Sequence, residues 1–340
     1  MRRVLAVLCA AFCLGLAPGA MGGRAQAAAT SSDPLSALMG QLGASLKPYQ
    51  VIVVDSVQLV SLTLEGASRA TDDNGGSPPA WLDDWKLRLA AQRALVQKER
   101  DALQPFKPGG LTAYAGDPQM ARMIKALAMI PDNMRRLADR SIAAADEALP
   151  LVDKAANGDR SAQKALLRVS LRGAVDNLDA QDSILDFGGL FASGDHPQLA
   201  LNQGIKSQNE AMRQLLNFRI AQLSGEQADR AATLAAVRQA LTQSRASLAQ
   251  VRPGAAKLAG RVSGAGVSPE YGARIKLAME TYGPSAEVEL RVDQLIEDNT
   301  DIFLADQPPS GAGEAFDQQI EVLSAQRMSL QQRRQAALTQ

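Results

Sequence analysis

Leu234, Val237, Leu241, Ser244, Leu248 and Val251 succeed one another at steps of 3, 4, 3, 4 and 3 residues. That spacing draws an apolar seam along one face of an α-helix and does not match the two-residue period of a half-buried strand. Ser244 is the seam's one polar member. The seam runs for fewer than about three heptads, which suits a helix packed in a bundle better than a long free coiled coil. Composition points the same way: aromatic residues are 4% of the chain. Ala, Leu, Gln and Arg, which cost little in a helix, are abundant, and the β-branched and aromatic residues that strands favour are not.

Helix starts are legible. Asp33-Pro34, Asp117-Pro118 and Ser268-Pro269 each set a capping oxygen before a proline at the first helical position, where a missing N–H costs nothing. Ser224-Gly225-Glu226-Gln227 fits a capping box. Breaks are expected at Thr71–Pro79, Pro105–Gly110, Asn157-Gly158, Gly188–Pro197, Pro253–Ser268 and Gln307–Gly313. A last helix, near Glu314–Ala337, puts Phe316, Ile320, Leu323 and Leu330 on one side. Arg327 interrupts that side, and the Gln-Gln-Arg-Arg run after Leu330 reads as a solvated end. Tyr49–Leu64 is rich in β-branched residues, but no second segment could pair with it as a strand, so it is expected to be a buried helix. The expected fold is all-α, a bundle of about eight to ten amphipathic helices. Two stacked bundles joined near residues 105–117 would also fit, with an N-terminal helical region at 28–105 and a main bundle at 117–340. No strict repeat of about 30–45 residues suggests a solenoid.

The first 27 residues supply an address. Arg2 and Arg3, an apolar run from Val4 to Ala17 and the small-residue site Ala25-Gln26-Ala27 have the layout of a secretory signal peptide cleaved after Ala27. The run breaks at Pro18, short of the roughly 17–25 apolar residues of a membrane anchor. Cys9 and Cys13, the chain's two cysteines, fall within this segment. Cleavage would therefore leave no disulfide, thiolate metal site or cysteine nucleophile. Leu8 and Phe12 precede them, where lipid anchoring needs a small residue. Without Arg2, Arg3 and Arg24, the 36 basic residues fall to 33 against 36 acidic, a net charge of −3, so a nucleic-acid partner is not expected. The longest mature apolar stretch, Val51–Leu64, is interrupted by Asp55 and Gln58, so no membrane span is expected after cleavage. A periplasmic or secreted location follows.

Candidate chemistry is sparse. His196 is the only histidine and precedes a helix in Ser193-Gly194-Asp195-His196-Pro197. Histidine-based zinc sites lack their partners here, and no G-x-S-x-G elbow supports a serine relay. No glycine-rich phosphate loop is present, and no cofactor is expected. Asp72–Asp83 and Glu297–Asp301 depart from the EF-hand pattern and read as solvated turns. The acidic row Asp176, Asp179, Asp182 and Asp186 keeps to one broad helix sector. Asp182 also falls on the apolar stripe of Leu171, Val175, Leu178 and Leu185, where a lone carboxylate is costly. The bland reading leaves Asp179 and Asp186 solvated and pairs Asp182 with an arginine of another helix, Arg219 being the candidate. The others are a divalent-cation face and an acid/base carboxylate pair. Trp81 and Trp85 stand one turn apart and either seal a helix onto the core or form an exposed anchor for a partner.

Together these features point to an exported, non-enzymatic helical protein that serves as scaffold, adaptor or assembly component. Its partner would be another envelope or secreted protein, and self-association is compatible with it. One alternative is a bundle domain that binds a small molecule or divalent cation between its helices. Another is a carboxylate-based hydrolase or lyase acting on envelope polymers.

Overall fold

Pro34, Pro118 and Pro269 each open a helix, as the residue pairs at those positions predict. The computed structural model describes residues 34–72, 80–107, 109–114, 116, 118–189, 192, 194–264, 269–305 and 312–339; the segment expected to be a leader lies outside them. Among the described residues ten α-helices follow in order: α1 (Pro34–Asp72), α2 (Trp81–Ala102), α3 (Pro118–Ala156), α4 (Arg160–Gly189), α5 (Pro197–Ser224), α6 (Arg230–Leu248), α7 (Val251–Gly264), α8 (Pro269–Glu280), α9 (Tyr282–Phe303) and α10 (Ala312–Thr339). A 3₁₀ turn, Gly109–Tyr114, lies between α2 and α3, and no strand occurs among the described residues. The protein is an all-α bundle. Tyr49–Leu64 lies inside α1 and buries Ile52, Val53, Leu59, Val60 and Leu62. An apolar run covering more than one helix face belongs to a helix enclosed by several neighbours.

Two boundaries differ from expectation. Ser224 does not cap α6; it ends α5. Gly225 takes the left-handed conformation (φ 73°), and the Gly225 and Glu226 N–H groups donate back to Gln222 O and Ala221 O. This Schellman closure satisfies the helix end and needs a glycine after it. The cap of α6 is Asp229, whose Oδ1 accepts from Ala232 N at 2.9 Å. Pro253 likewise breaks nothing, because it sits in the first turn of α7, where its missing N–H is harmless. The interruption comes at Ala249-Gln250, and the seam from Val237 to Val251 stays buried across it.

Antiparallel pairing sets the layout. Lys86, Arg93 and Arg100 of α2, spaced by sevens, meet Asp153, Asp146 and Asp139 of α3, spaced by sevens in reverse. One apolar cluster gathers α1 to α4 around Ile52, Trp85, Leu127 and Leu166, so residues on both sides of 105–117 share it. A second joins α1, α4, α5, α6, α9 and α10 around Leu215, Leu241 and Ile296. A third closes the far end around Leu248, Val251 and Tyr282.

Trp85 is 0% exposed, and its indole N–H donates to Leu62 O at 2.7 Å. The ring occupies the place of a missing side chain: a Cβ on Gly66 would stand 2.3 Å from Trp85 Cζ2. Replacing a helix glycine by alanine ordinarily gains about 1 kcal/mol, but here overpacking should reverse the sign, at about 1–3 kcal/mol net loss. Denaturant unfolding of Gly66→Ala should show a lower midpoint at unchanged slope. A higher midpoint would mean that the indole does not seat on Gly66.

Candidate functional site

The acidic row is spent on helix pairing. Asp176 meets Arg140 of α3 at 2.8 Å, and Asp179 meets Arg140 at 3.6 Å and Arg213 at 3.1 Å. Asp186 meets Lys206 at 2.7 Å. Asp182 accepts from Asn209 Nδ2 and from Arg213 Nη2, both at 2.8 Å. Asp179 and Asp186 are exposed and Asp182 is half-buried, as the bland reading has it. The arginine that meets Asp182 is Arg213, not the expected Arg219. Along α5, Lys206, Asn209 and Arg213 face Asp186, Asp182 and Asp179 of α4 in reverse order, so Arg219 passes the end of the row. It donates instead to Gln222 Oε1 and Ala305 O, each at 2.7 Å.

Burial raises the Asp182 carboxyl above the usual carboxylate range, against the pull of Asn209 and Arg213. Burial also raises Asp176, with Arg140 opposing it. For Arg213, burial works against the charge, but Asp182, Glu210 and Asp179 outweigh it and the guanidinium is raised. The row is thus a set of matched charges between α3, α4 and α5, with the carboxylate oxygens already turned to cations.

The tryptophans divide. Trp85 is enclosed and seals α2 onto α1, so it cannot anchor a partner. Trp81 is half-buried, edge-on to Trp85 at 6.4 Å, with Arg69 over its ring. His196 caps α5 through Nδ1, which accepts from Gln198 N at 3.1 Å. Burial, then repulsion from Arg334, lowers its pKa to about 4, so the ring is neutral at pH 7. The segment Glu297–Asp301 is helical; Glu297 pairs with Arg245, Asp301 with Arg230, and Asp298 accepts from Gln294 Nε2. Residues 73–79 of the other calcium-like stretch lie outside the described residues.

Three polar groupings were not foreseen. Glu289 of α9, 1% exposed, takes a bidentate grip from Arg327 of α10. Gln208 of α5 donates to Glu289 O at 2.8 Å, and Asp293 and Ser244 lie buried beside this pair. The second grouping surrounds Arg334, which sequence alone places at a solvated end. Its guanidinium stacks 3.7 Å from the Tyr282 ring centroid and donates to Thr281 Oγ1, Gln198 Oε1 and Ser285 Oγ. The third sets Glu99 of α2 against Asp55 of α1: burial, then the Asp55 carboxyl, raises Glu99 to about 7. A small cavity between α4, α5, α9 and α10 is lined by Leu178, Gln208, Asn209, Met212, Ile296 and Arg327 among others.

Glu289 and Asp293, one turn apart among Ser285, Val292, Ile296 and Thr300, repeat the Asp182 signal of an acid on a buried stripe. Periodicity could have found them. Arg334 carries no such mark, because its partners come from α5 and the α8–α9 junction. Comparison of the chain with protein-family models, with curated proteins and with solved structures finds no match in any of the three.

Arg213→Met should cost about 2 kcal/mol, below the 3–5 kcal/mol typical of a fully buried pair because both side chains keep some solvent contact. Adding Asp182→Asn should recover much of that loss, since the stranded charge is then gone. A double-mutant cycle with no coupling between the two positions would remove Arg213 as the partner of Asp182.

Proposed function

We propose that the chain is an exported helical protein that acts by binding another envelope or secreted protein, as scaffold, adaptor or assembly component. The observation that carries this reading is the use made of the acidic row: each of its carboxylates meets a basic side chain of α3 or α5. Export rests on the cationic start, apolar run and Ala25-Gln26-Ala27 site. No helix among the described residues is long and apolar enough to cross a membrane. Self-association remains within the same proposal.

The small cavity is where the second reading, a bundle that binds a small molecule or cation, would place its ligand. Two of its polar side chains, Gln208 and Asn209, already donate to Glu289 O and Asp182. A ligand there would have to displace bonds the bundle uses, which favours the binding-partner reading over it. The carboxylate-hydrolase reading is weakened because each acid of the row already faces a basic side chain.

With Trp85 enclosed, partner contact is better sought at exposed apolar side chains such as Leu87 of α2 (73% exposed) and Val322 of α10 (57% exposed). A photo-crosslinking residue at either position, in the tagged full chain expressed with its leader, should capture one or two reproducible envelope proteins or a second copy. The mature protein should begin at Ala28 in the exported fraction. Cytoplasmic retention with the leader uncleaved would end the export proposal. An exported chain that captures nothing from either position would end the adaptor proposal and leave export standing.

A further inference from the structure

Asp293 is 0% exposed, and neither carboxylate oxygen has an aligned hydrogen bond. The Ser244 hydroxyl beside it, also 0% exposed, is likewise without one. We propose that Asp293 is a proton-operated catch: neutral, it lets α9 stay seated on α5 and α6, and ionised, it weakens that seat, so that openings which let water reach the carboxylate become more frequent.

The surroundings account for this. From α5, Gln208 approaches Asp293, but its amide donates to Glu289 O. From α6 come Ser244 and Arg245, and Arg245 is engaged by Glu297. On α9 itself, Glu289 adds a second negative charge one turn away. From α10, Arg327 approaches the same turn but is gripped by Glu289. α7 meets α9 through Arg252 and Glu287, and the α8–α9 junction carries Thr281 with Arg334 bonded to it; both lie more than one turn further along. A carboxylate in this position has lost its water without gaining a cation, and such groups take up a proton instead. Burial accordingly raises Asp293 to about 7, against the opposing pull of Ser244, Gln208 and, more weakly, the Arg245 guanidinium that Glu297 already engages.

The closed state therefore holds the proton more tightly than the opened state, where the carboxyl returns to its ordinary value of 3.8. Closure is strongest below that value, weakens as pH rises towards about 7 and is unchanged above it. Loss of one proton on opening makes the opening constant grow by up to about tenfold per pH unit in the middle of that window.

Hydrogen exchange of the full chain from pH 5 to 8.5, corrected for the pH dependence of amide exchange itself, tests the catch. Wild-type protection in α6, α9 and α10 should fall by about a hundredfold between pH 5 and 8 and level off, while α2 and α3 hold. In Asp293→Asn, which keeps the shape and cannot ionise, the three helices should stay protected throughout. The carboxyl carbon of Asp293, followed by NMR in the wild-type chain, should titrate near neutrality, a reading that needs no variant. A profile shared by wild type and Asp293→Asn, a loss spread evenly over all helices, or a carbon already ionised at pH 5 would overturn the proposal. So would restored protection at pH 8 on adding sodium, potassium or magnesium chloride at matched ionic strength, because a bound cation would then be neutralising Asp293.

Discussion

Gln208 and Asn209 sit side by side in the middle of α5, both buried, and their amides point to different neighbours. Gln208 donates to the α9 backbone and Asn209 to Asp182 of α4. A buried amide left unmade costs about 1–3 kcal/mol, so α5 cannot rotate or slide without stranding one of the two. That double obligation fixes the helix against which α4, α6 and α9 pack. Close approach reinforces it at Gly204, where a Cβ would stand 2.6 Å from Leu248 Cδ2.

Seams built of Leu and Ala are nearly self-similar under a shift of one heptad, so apolar burial alone specifies register weakly. The α2–α3 ladder adds a partial constraint: it also repeats every seven residues, so it rejects shifts of a single turn and leaves a whole-heptad shift to be rejected elsewhere. Sliding either helix by one turn would place each cation away from its acid. Exposed pairs contribute about 0–1 kcal/mol each, so the ladder selects an alignment more than it strengthens one. Glu289–Arg327 is a different case. There the charges are desolvated, and the arrangement persists because removing either partner is far worse than keeping both.

What the sequence made legible was local. Proline after Asp or Ser marks a helix start because the cap and the fixed φ act within a few residues, and the Leu234–Val251 seam is local periodicity. Ser224 against Asp229 is the instructive near miss, since both can cap. Gly225 decides between them by supplying the left-handed turn that ends α5, and that choice depends on where α5 ends. Arg213 against Arg219 is a failure of another kind. Both lie on α5 with suitable chemistry, and only the antiparallel offset between α4 and α5 brings one of them level with Asp182. Asp293 and Arg334 belong to the same class: each is read correctly only once the helices that enclose it are known.

The attachment of α10 follows from these parts. Its contacts combine Phe316 and Ile320, which are fully buried, with two arginines that reach inward. Arg327 finds a carboxylate. Arg334 finds hydroxyls, an amide and the face of Tyr282, and burial lowers its pKa. Each of its hydrogen bonds is one that water could replace, whereas the apolar contacts of α1 to α4 are not. The two ends of the bundle therefore differ in kind: α1–α4 are held mainly by area removed from water, and α10 is held in large part by polar pairings whose strength depends on keeping water out. Asp293 lies on α9 beside the Glu289–Arg327 pairing, so an uncompensated buried acid sits where entry of water would weaken the attachment of α10.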